Sequence, residues 1–248
     1  MRVIYGINPV REALKVAGAG RGIENIFVWE RREDKVILDI ANDARRKGIK
    51  VKIASRERLT ELSGVEKHQG VVAVFKGEFA YCHMEDAIKA WKDSGGRALF
   101  LVLDSIQDPQ NLGSLIRAAA ASGVHAVIIP KDRACQVTPA VTKASAGATE
   151  LVMIARVTNL TNTLSDLKEE GVWTIGIEAG SGKSLYSVDM LTDIAIVVGS
   201  EGSGIRRLVR EECDITAQIP MKGSLNSLNA AQAGVVALFE VRRQRGFS

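Results

Sequence analysis

The second half of this chain is organised by six apolar runs, at residues 99–103, 126–129, 151–154, 173–177, 194–198 and 215–219. They are rich in Val and Ile and continuous rather than alternating. A strand that is apolar at every position must be covered on both faces, which is the condition of a parallel sheet with helices on either side. Helical spacing fills the intervals, at about 111–122, 139–146, 159–170, 205–211 and 229–243. The expectation is an α/β domain over residues 98–248, built on a mostly parallel sheet.

Residues 1–76 read as a separate, smaller α/β domain. Helical spacing is expected from Asn8, as N-cap with Pro9 in the first turn, to residue 17. Further helices are expected at 35–47 and 56–62, and strands at 26–29, 50–53 and 70–75. Residues 77–97 read as a connector holding one amphipathic helix at 84–91 and ending at Gly95-Gly96. The basic charge sits in the small domain, where 16 Lys and Arg face 10 Asp and Glu. Such asymmetry favours a polyanion-binding module, although a solvated surface has the same composition.

Composition excludes several classes. A hydrophobic content of 46% and a charged content of 25% are those of a soluble globular protein. No long apolar run follows the charge at the N-terminus, and no stretch approaches the roughly 20 apolar residues of a membrane span. Cys82, Cys135 and Cys213 form no disulfide framework, and His68, His83 and His125 share no metal-ligand spacing. The reading is a cytoplasmic protein with no membrane partner and no metal.

Three segments of the large domain join a strand to a small-residue turn and then to a helix. The first is Asp108-Pro109-Gln110-Asn111-Leu112-Gly113-Ser114-Leu115-Ile116-Arg117. Asp108-Pro109 makes the turn, and Asn111 occupies the expected N-cap. Arg117 follows, with Gly113 and Ser114 leaving room beside its guanidinium. An arginine so placed can grip a phosphate or carboxylate through two parallel bonds, and one on a solvated helix face has the same sequence. The second is Val198-Gly199-Ser200-Glu201-Gly202-Ser203-Gly204-Ile205, whose glycines let backbone N–H groups approach a ligand. A plain tight turn would also explain it. The third is Ile219-Pro220-Met221-Lys222-Gly223, followed by Ser227-Leu228-Asn229 at the entry of a long helix. Helix capping alone accounts for Ser227 and Asn229.

One motif misleads. Gly176 to Ser184, ending Gly182-Lys183-Ser184, imitates a phosphate-binding P-loop, but five residues separate Gly176 from Gly182 where the P-loop has four. Residues 185–189 then read as a loop rather than the required helix.

Together the three segments, with Tyr5-Gly6-Ile7-Asn8-Pro9-Val10 and His68-Gln69-Gly70-Val71, resemble the SPOUT class of RNA methyltransferases, in its ribose 2′-O branch. The resemblance covers nearly the whole chain. It implies S-adenosyl-L-methionine as methyl donor and a guanosine ribose of 23S ribosomal RNA as substrate, with transfer RNA as the alternative. It also implies a C-terminal trefoil knot and a homodimer. The knot does not follow from periodicity and breaks the usual rule against threaded chains. By position, the resemblance assigns Gly199, Glu201, Ile219, Met221 and Leu228 to the cofactor, and Asn111, Arg117, Glu201, Ser227 and Asn229 to catalysis. Where relatives carry a second serine after Ser-Leu-Asn, this chain has Ala231.

No nucleophile, base and acid triad is legible, which fits a reaction whose cofactor carries the reactive group. A non-catalytic RNA-binding or ribosome-assembly factor would share the charge asymmetry, but would have no use for the five catalytic candidates. In the small domain, Arg11, Arg31, Arg32, Arg45, Arg46 and Lys47 are the candidates for phosphate contact.

Overall fold

The computed structural model describes residues 2–16, 22–30, 34–222 and 227–246. The chain packs as two compact units, Met1–Ala80 with Val137–Leu151, and Tyr81–Gln136 with Val152–Ser248.

The first unit runs β1 (Arg2–Tyr5), α1 (Ile7–Val16), β2 (Ile23–Trp29), α2 (Lys35–Arg46), β3 (Lys50–Ala54), α3 (Arg56–Ser63) and β4 (Val71–Phe75). Its sheet has the order β1-β4-β2-β3. β4 is antiparallel to β1 and β2, while β2 and β3 are parallel. One face packs Ile4, Ile26 and Ala73 against Val10 and Leu14 of α1 and Ile37 and Ile40 of α2. The other packs Tyr5, Val72 and Val74 against Leu59 of α3, with Trp29 alongside.

Strand β1 had no counterpart in the sequence reading, because four residues are too few to establish a period. Asn8 does not cap α1, which begins one residue earlier. Gly6, at φ +97°, takes the cap position, and its carbonyl accepts the first helical bond from Val10 N–H at 3.2 Å.

The second unit begins with α4 (Met84–Ser94), β5 (Leu99–Asp104), α5 (Pro109–Ser122) and β6 (Ala126–Pro130). The chain then contributes α6 (Pro139–Ala144) and a 3-10 turn, Ala148–Glu150, to the first unit. There Glu150 pairs with Arg2. Gly147, at φ +93°, lies so close to α1 that a Cβ would stand 2.8 Å from Pro9 Cα. The second unit resumes with β7 (Met153–Val157), α7 (Leu160–Glu169), β8 (Trp173–Ile177), β9 (Ile194–Gly199), α8 (Arg207–Glu211), β10 (Ile215–Ala217) and α9 (Ala230–Arg245).

Its six strands lie in the order β10-β8-β9-β5-β6-β7, and all five pairings are parallel. Phe100, Val102, Ile128 and Val197 share one core with Trp91 of α4, Leu164 of α7 and Val209 of α8. The alternate residues Leu101, Leu103 and Val198 are equally buried and point to the opposite face. There α5 and α9 pack together, and Gly234 permits the approach: a Cβ on it would lie 2.3 Å from Leu115 Cδ2. Two expected strands are displaced. The run at 151–154 enters the sheet only at Met153, since Leu151 ends the 3-10 turn and is exposed. β10 stops at Ala217, so Ile219 leaves the sheet.

Among the described residues, no helix is long and apolar enough to cross a membrane. None of their His, Cys, Asp and Glu side chains cluster in threes that could hold a metal ion.

Arg245, next to Gln244, whose amide bonds the backbone of Val188 and Met190, pins the end of the last helix. The Arg245 guanidinium donates to the carbonyls of Met190 at 3.0 Å, Thr192 at 2.7 Å, Ala98 at 2.8 Å and Arg97 at 3.3 Å. Hydrogen bonds to a charged donor contribute about 1.5–3 kcal/mol each at most, and a flexible ammonium cannot reproduce this fork. Urea denaturation of Arg245→Ala should therefore show a loss of about 2–4 kcal/mol, with Arg245→Lys recovering less than half. Unchanged stability in Arg245→Ala would remove this clasp from the account.

Candidate functional site

The strand order creates a place for a ligand. β5 and β9 are neighbours, but the chain leaving β5 goes to β6 on one side while the chain leaving β9 goes to β10 on the other. Diverging connections leave a crevice outside the C-terminal ends of the strands, where open parallel sheets bind ligands. The three turns singled out in the sequence meet there.

The first turn corrects an expectation. Asp108, not Asn111, caps α5: its two carboxylate oxygens accept the N–H groups of Gln110 and Asn111, both at 3.2 Å, with Pro109 in the first turn. Relieved of capping, the Asn111 side chain reaches the second turn and donates from Nδ2 to Glu201 Oε1 at 2.6 Å.

The second turn is closed on itself. Ser200 and Gly204 exchange backbone hydrogen bonds of 3.1 and 3.0 Å, and their hydroxyl neighbours Ser200 Oγ and Ser203 Oγ lie 2.6 Å apart. The closure leaves no room at Gly199, where a Cβ would stand 2.1 Å from Gly204 C. The far end of the turn is fastened to β5. Asp104 is fully buried and accepts from Arg206 N–H and Arg206 Nε, each at 2.7 Å, and from Ser105 Oγ at 3.0 Å. Full pairing is what makes a buried carboxylate tolerable.

In the third turn, Asn229 caps α9 in a reciprocal box with Gln232, accepting Gln232 N–H at 2.7 Å while Gln232 Oε1 accepts Asn229 N–H at 3.3 Å. Ala231 is buried in the first turn of that helix.

Between the second and third turns lies a cleft of about 320 Å³ whose lining includes Gly199, Glu201, Ile219, Met221, Ser227 and Leu228. All five cofactor candidates thus share one wall system with two catalytic candidates, Glu201, which belongs to both sets, and Ser227. An adjoining hollow of about 340 Å³ is lined by Gln107, Asp108 and Asn111, and shares Ser200, Glu201, Ser203 and Ala230 with the cleft. Two candidates are not brought in. Asn229 lines neither space. Arg117 lies on the exposed side of α5, lines neither space and forms no ion pair with the described residues.

Sequence reasoning missed Glu178, which follows β8 directly, lines the cleft and pairs with Arg210 at 3.3 Å. Its position at the C-terminal end of a parallel strand was the available signal. It also missed the Asp104–Arg206 pair, whose residues are remote in sequence. The P-loop imitation comes apart: Ser184 caps a single 3-10 turn, Leu185–Ser187, and no α-helix follows to aim amides at a phosphate. The cysteine thiols are pushed toward the protonated form. Burial, and then Asp214, push the Cys213 thiol up to about 12, and burial raises Cys82 and Cys135 as well.

In the first unit, Arg11 is exposed on α1, and Arg45 and Arg46 are exposed in the last turn of α2. Lys47 works inward, its ammonium bonding the Leu14 carbonyl and so tying α2 to α1. Arg31 and Arg32 lie outside the described residues.

A parallel α/β domain with this crevice, joined to a small α/β module, is the architecture of solved SpoU methyltransferases. One of them, AviRb from Streptomyces viridochromogenes in complex with AdoMet, shares the fold with a TM-score of 0.81 at 23% identity, covering 98% of this chain and 90% of that one. Residues 98–239 match the SpoU rRNA Methylase family, and residues 3–79 match the RNA 2′-O ribose methyltransferase substrate binding family. The chain belongs to the SpoU rRNA methylase family. Among relatives, the 23S rRNA (guanosine-2′-O-)-methyltransferase RlmB of Coxiella burnetii is 43% identical, over 99% of this chain and 96% of its own length. The protein of that name from Escherichia coli K12 is 40% identical over 98% of each.

Two substitutions test this construction. Gly199→Ala must force open the Ser200–Gly204 turn, which costs about 1–3 kcal/mol as overpacking and should appear as faster amide hydrogen exchange at Gly204. Protection equal to the parent protein would contradict the geometry. Lys183→Ala should leave ligand binding and turnover unchanged; a loss of either would revive the P-loop reading.

Proposed function

We propose that this protein transfers a methyl group from S-adenosyl-L-methionine to the ribose 2′-hydroxyl of a guanosine in 23S ribosomal RNA. One observation carries the reading: the five cofactor candidates line a single cleft, and the Asn111–Glu201 hydrogen bond joins it to a second hollow. The names of the relatives, at 40% and 43% identity over nearly the full chain, support the substrate.

The lining fits the cofactor. Ile177, Val198, Ile219 and Leu228 offer apolar walls to an adenine ring, while the Glu178 and Glu201 carboxylates complement a cationic amino-acid portion. The glycines of the Gly199–Gly204 turn let its backbone come close to the ligand. Once bound, S-adenosyl-L-methionine supplies an electrophilic methyl on a sulfonium and leaves as the neutral thioether.

The protein's own residues have to align the ribose and handle a proton. Asn111, held by Glu201, is placed to orient the hydroxyl, and Ser227 adds a second hydroxyl contact on the cleft. Arg117 is proposed to hold an RNA phosphate and to stabilise the developing alkoxide. A guanidinium keeps its proton and is a poor base, so the proton passes to a nearby phosphate or to water. Asn229 acts through the helix it caps, which fixes Ser227 and Leu228 beside it.

Three finer features belong to the same proposal. Family membership supports the trefoil path of the C-terminal region and a homodimer. The dimer has a further argument, because Arg117 on α5 and Phe239 on α9, 41% exposed, leave a cation and a large ring in solvent on two packed helices. A second copy would give both a use, Arg117 among them at a site that its own chain does not complete. The proposed location is the cytoplasm, where ribosomal RNA is made and modified.

The test is methyl transfer from labelled S-adenosyl-L-methionine to ribosomal and transfer RNA pools lacking native modification, followed by digestion. Label on a 23S guanosine 2′-oxygen is expected. Label in transfer RNA would keep the chemistry and overturn the substrate, and no label in either pool would overturn the function. Arg117→Ala should retain cofactor binding and lose about 100-fold or more in turnover; undiminished turnover would end its assigned role.

A further inference from the structure

The first unit contains a concavity that methyl transfer does not use. At the end of β2, a hollow of about 610 Å³ opens beside the first residue of α3 and the turn that leads into β4. Trp29, the last residue of β2, forms a wall of it, half-buried against the Leu59 core.

The floor is the turn His68-Gln69-Gly70. Gln69 and Gly70 both hold left-handed backbone, at φ +58° and +78°. That conformation is strained for a glutamine, and four contacts enforce it. Trp29 N–H donates to the Gly70 carbonyl at 3.0 Å, and Gly70 N–H to His68 Nδ1 at 3.1 Å. Gln69 Oε1 accepts from Ile7 N–H at 3.1 Å and from Lys143 Nζ at 2.5 Å. Strained residues persist where their surroundings over-determine them, and they gather at ligand sites.

The lining is cationic. Arg56, Lys67 and Lys143 contribute to it against one carboxylate, Glu66, and among the described residues none of the three forms an ion pair. Lys143 is the most constrained. Its ammonium lies 6.0 Å from the Tyr5 ring centroid and bonds a neutral amide oxygen, and burial pushes its pKa down. A phosphate beside it would supply the missing negative charge. An aromatic wall, a rigid floor and unneutralised cations are the chemistry by which proteins hold unstacked nucleotides, whose bases stack on aromatic rings while cations follow the backbone.

We propose that this hollow binds one unpaired nucleotide of the RNA substrate, with its base against Trp29 and its phosphate held by Lys143 and Lys67. The proposal rests on the reading that RNA is the substrate. The nucleotide held here is not the one methylated, whose ribose belongs in the cleft of the second unit. The N-terminal module then recognises a splayed-out base, in addition to attracting phosphates through its surface arginines.

The experiment uses the full chain labelled with 5-fluorotryptophan, which reports on Trp29, Trp91 and Trp173 separately. The probe is the shortest 23S rRNA hairpin that still accepts methyl, compared with a blunt duplex of the same stem. The Trp29 fluorine resonance, assigned with Trp29→Tyr, should move with the hairpin and not with the duplex. Trp29→Leu should weaken hairpin binding by about 10-fold or more, with Trp29→Tyr retaining most of it. Lys143→Gln should weaken binding and reduce the salt slope by about one. Unmoved Trp91 and Trp173 resonances in each variant exclude misfolding. Hairpin binding with a silent Trp29 overturns the pocket and leaves ribose methylation standing, as does a loss in Trp29→Leu that is equal for hairpin and duplex. An acidic peptide that moves the Trp29 signal when the hairpin does not would assign the hollow to a protein partner, and would also overturn it. If no hairpin or longer 23S rRNA accepts methyl, the reading beneath the pocket fails with it.

Discussion

A fully buried carboxylate at the end of β5 holds the candidate site together. Asp104 accepts both the backbone N–H and the Nε of Arg206, and so fastens the loop leaving β9 to the strand beside it. The carboxylate is buried while the Arg206 side chain reaches solvent, so losing the arginine would leave a buried charge short of a partner. With the loop end fixed, Ser200 and Gly204 can close on each other over Gly199, and Glu201 is presented to Asn111. The cleft therefore depends on a tie between neighbouring strands whose connections depart in opposite directions. A crossing order that separated β5 from β9 would leave the same three turns with nothing to enclose.

The two units divide the physical work. The second is nearly neutral in charge, carries the all-parallel sheet, and builds a concave site from backbone turns and a few polar side chains. The first carries the basic excess, and its sheet is mixed. Its exposed Arg11, Arg45 and Arg46 suit a sequence-independent attraction to phosphate, whereas the hollow at Trp29 suits recognition of an unstacked base. The segment Val137–Leu151 complicates a simple linear division. It lies within the sequence of the larger domain, yet it packs with β1 and α1 and supplies Lys143 to the smaller unit.

Much of this was legible from residue patterns. Six Val- and Ile-rich runs foretold the parallel sheet, because a strand covered on both faces has no polar alternation to lose. The three turns were legible as a set, since each places small residues where a strand meets a helix. Other features required the fold. Asp108 and Asn111 are both competent caps, and Pro109 alone favoured the former by marking the first helical position. The spacing of Arg117 fixed its helix but not which side of that helix looks into the cleft. Asp104 and Arg206 are a hundred residues apart in order of magnitude, and no local pattern joins them. Lys143 and Trp29 are likewise united only by packing. Arg2-Val3-Ile4-Tyr5 shows the limit at short range, since a four-residue strand is specified by its partner β4 rather than by its own period.

The claim at the centre of this account is that the cleft at the C-terminal ends of β8 and β9, beside the entry to α9, is where S-adenosyl-L-methionine binds. Amide hydrogen exchange of the full chain, with and without that cofactor, tests it most directly. Slower exchange is predicted at Gly199–Gly204, Met221 and Leu228, with residues 2–75 unaffected. Protection that appears in residues 2–75, or that bypasses the Gly199–Gly204 turn, would contradict the account.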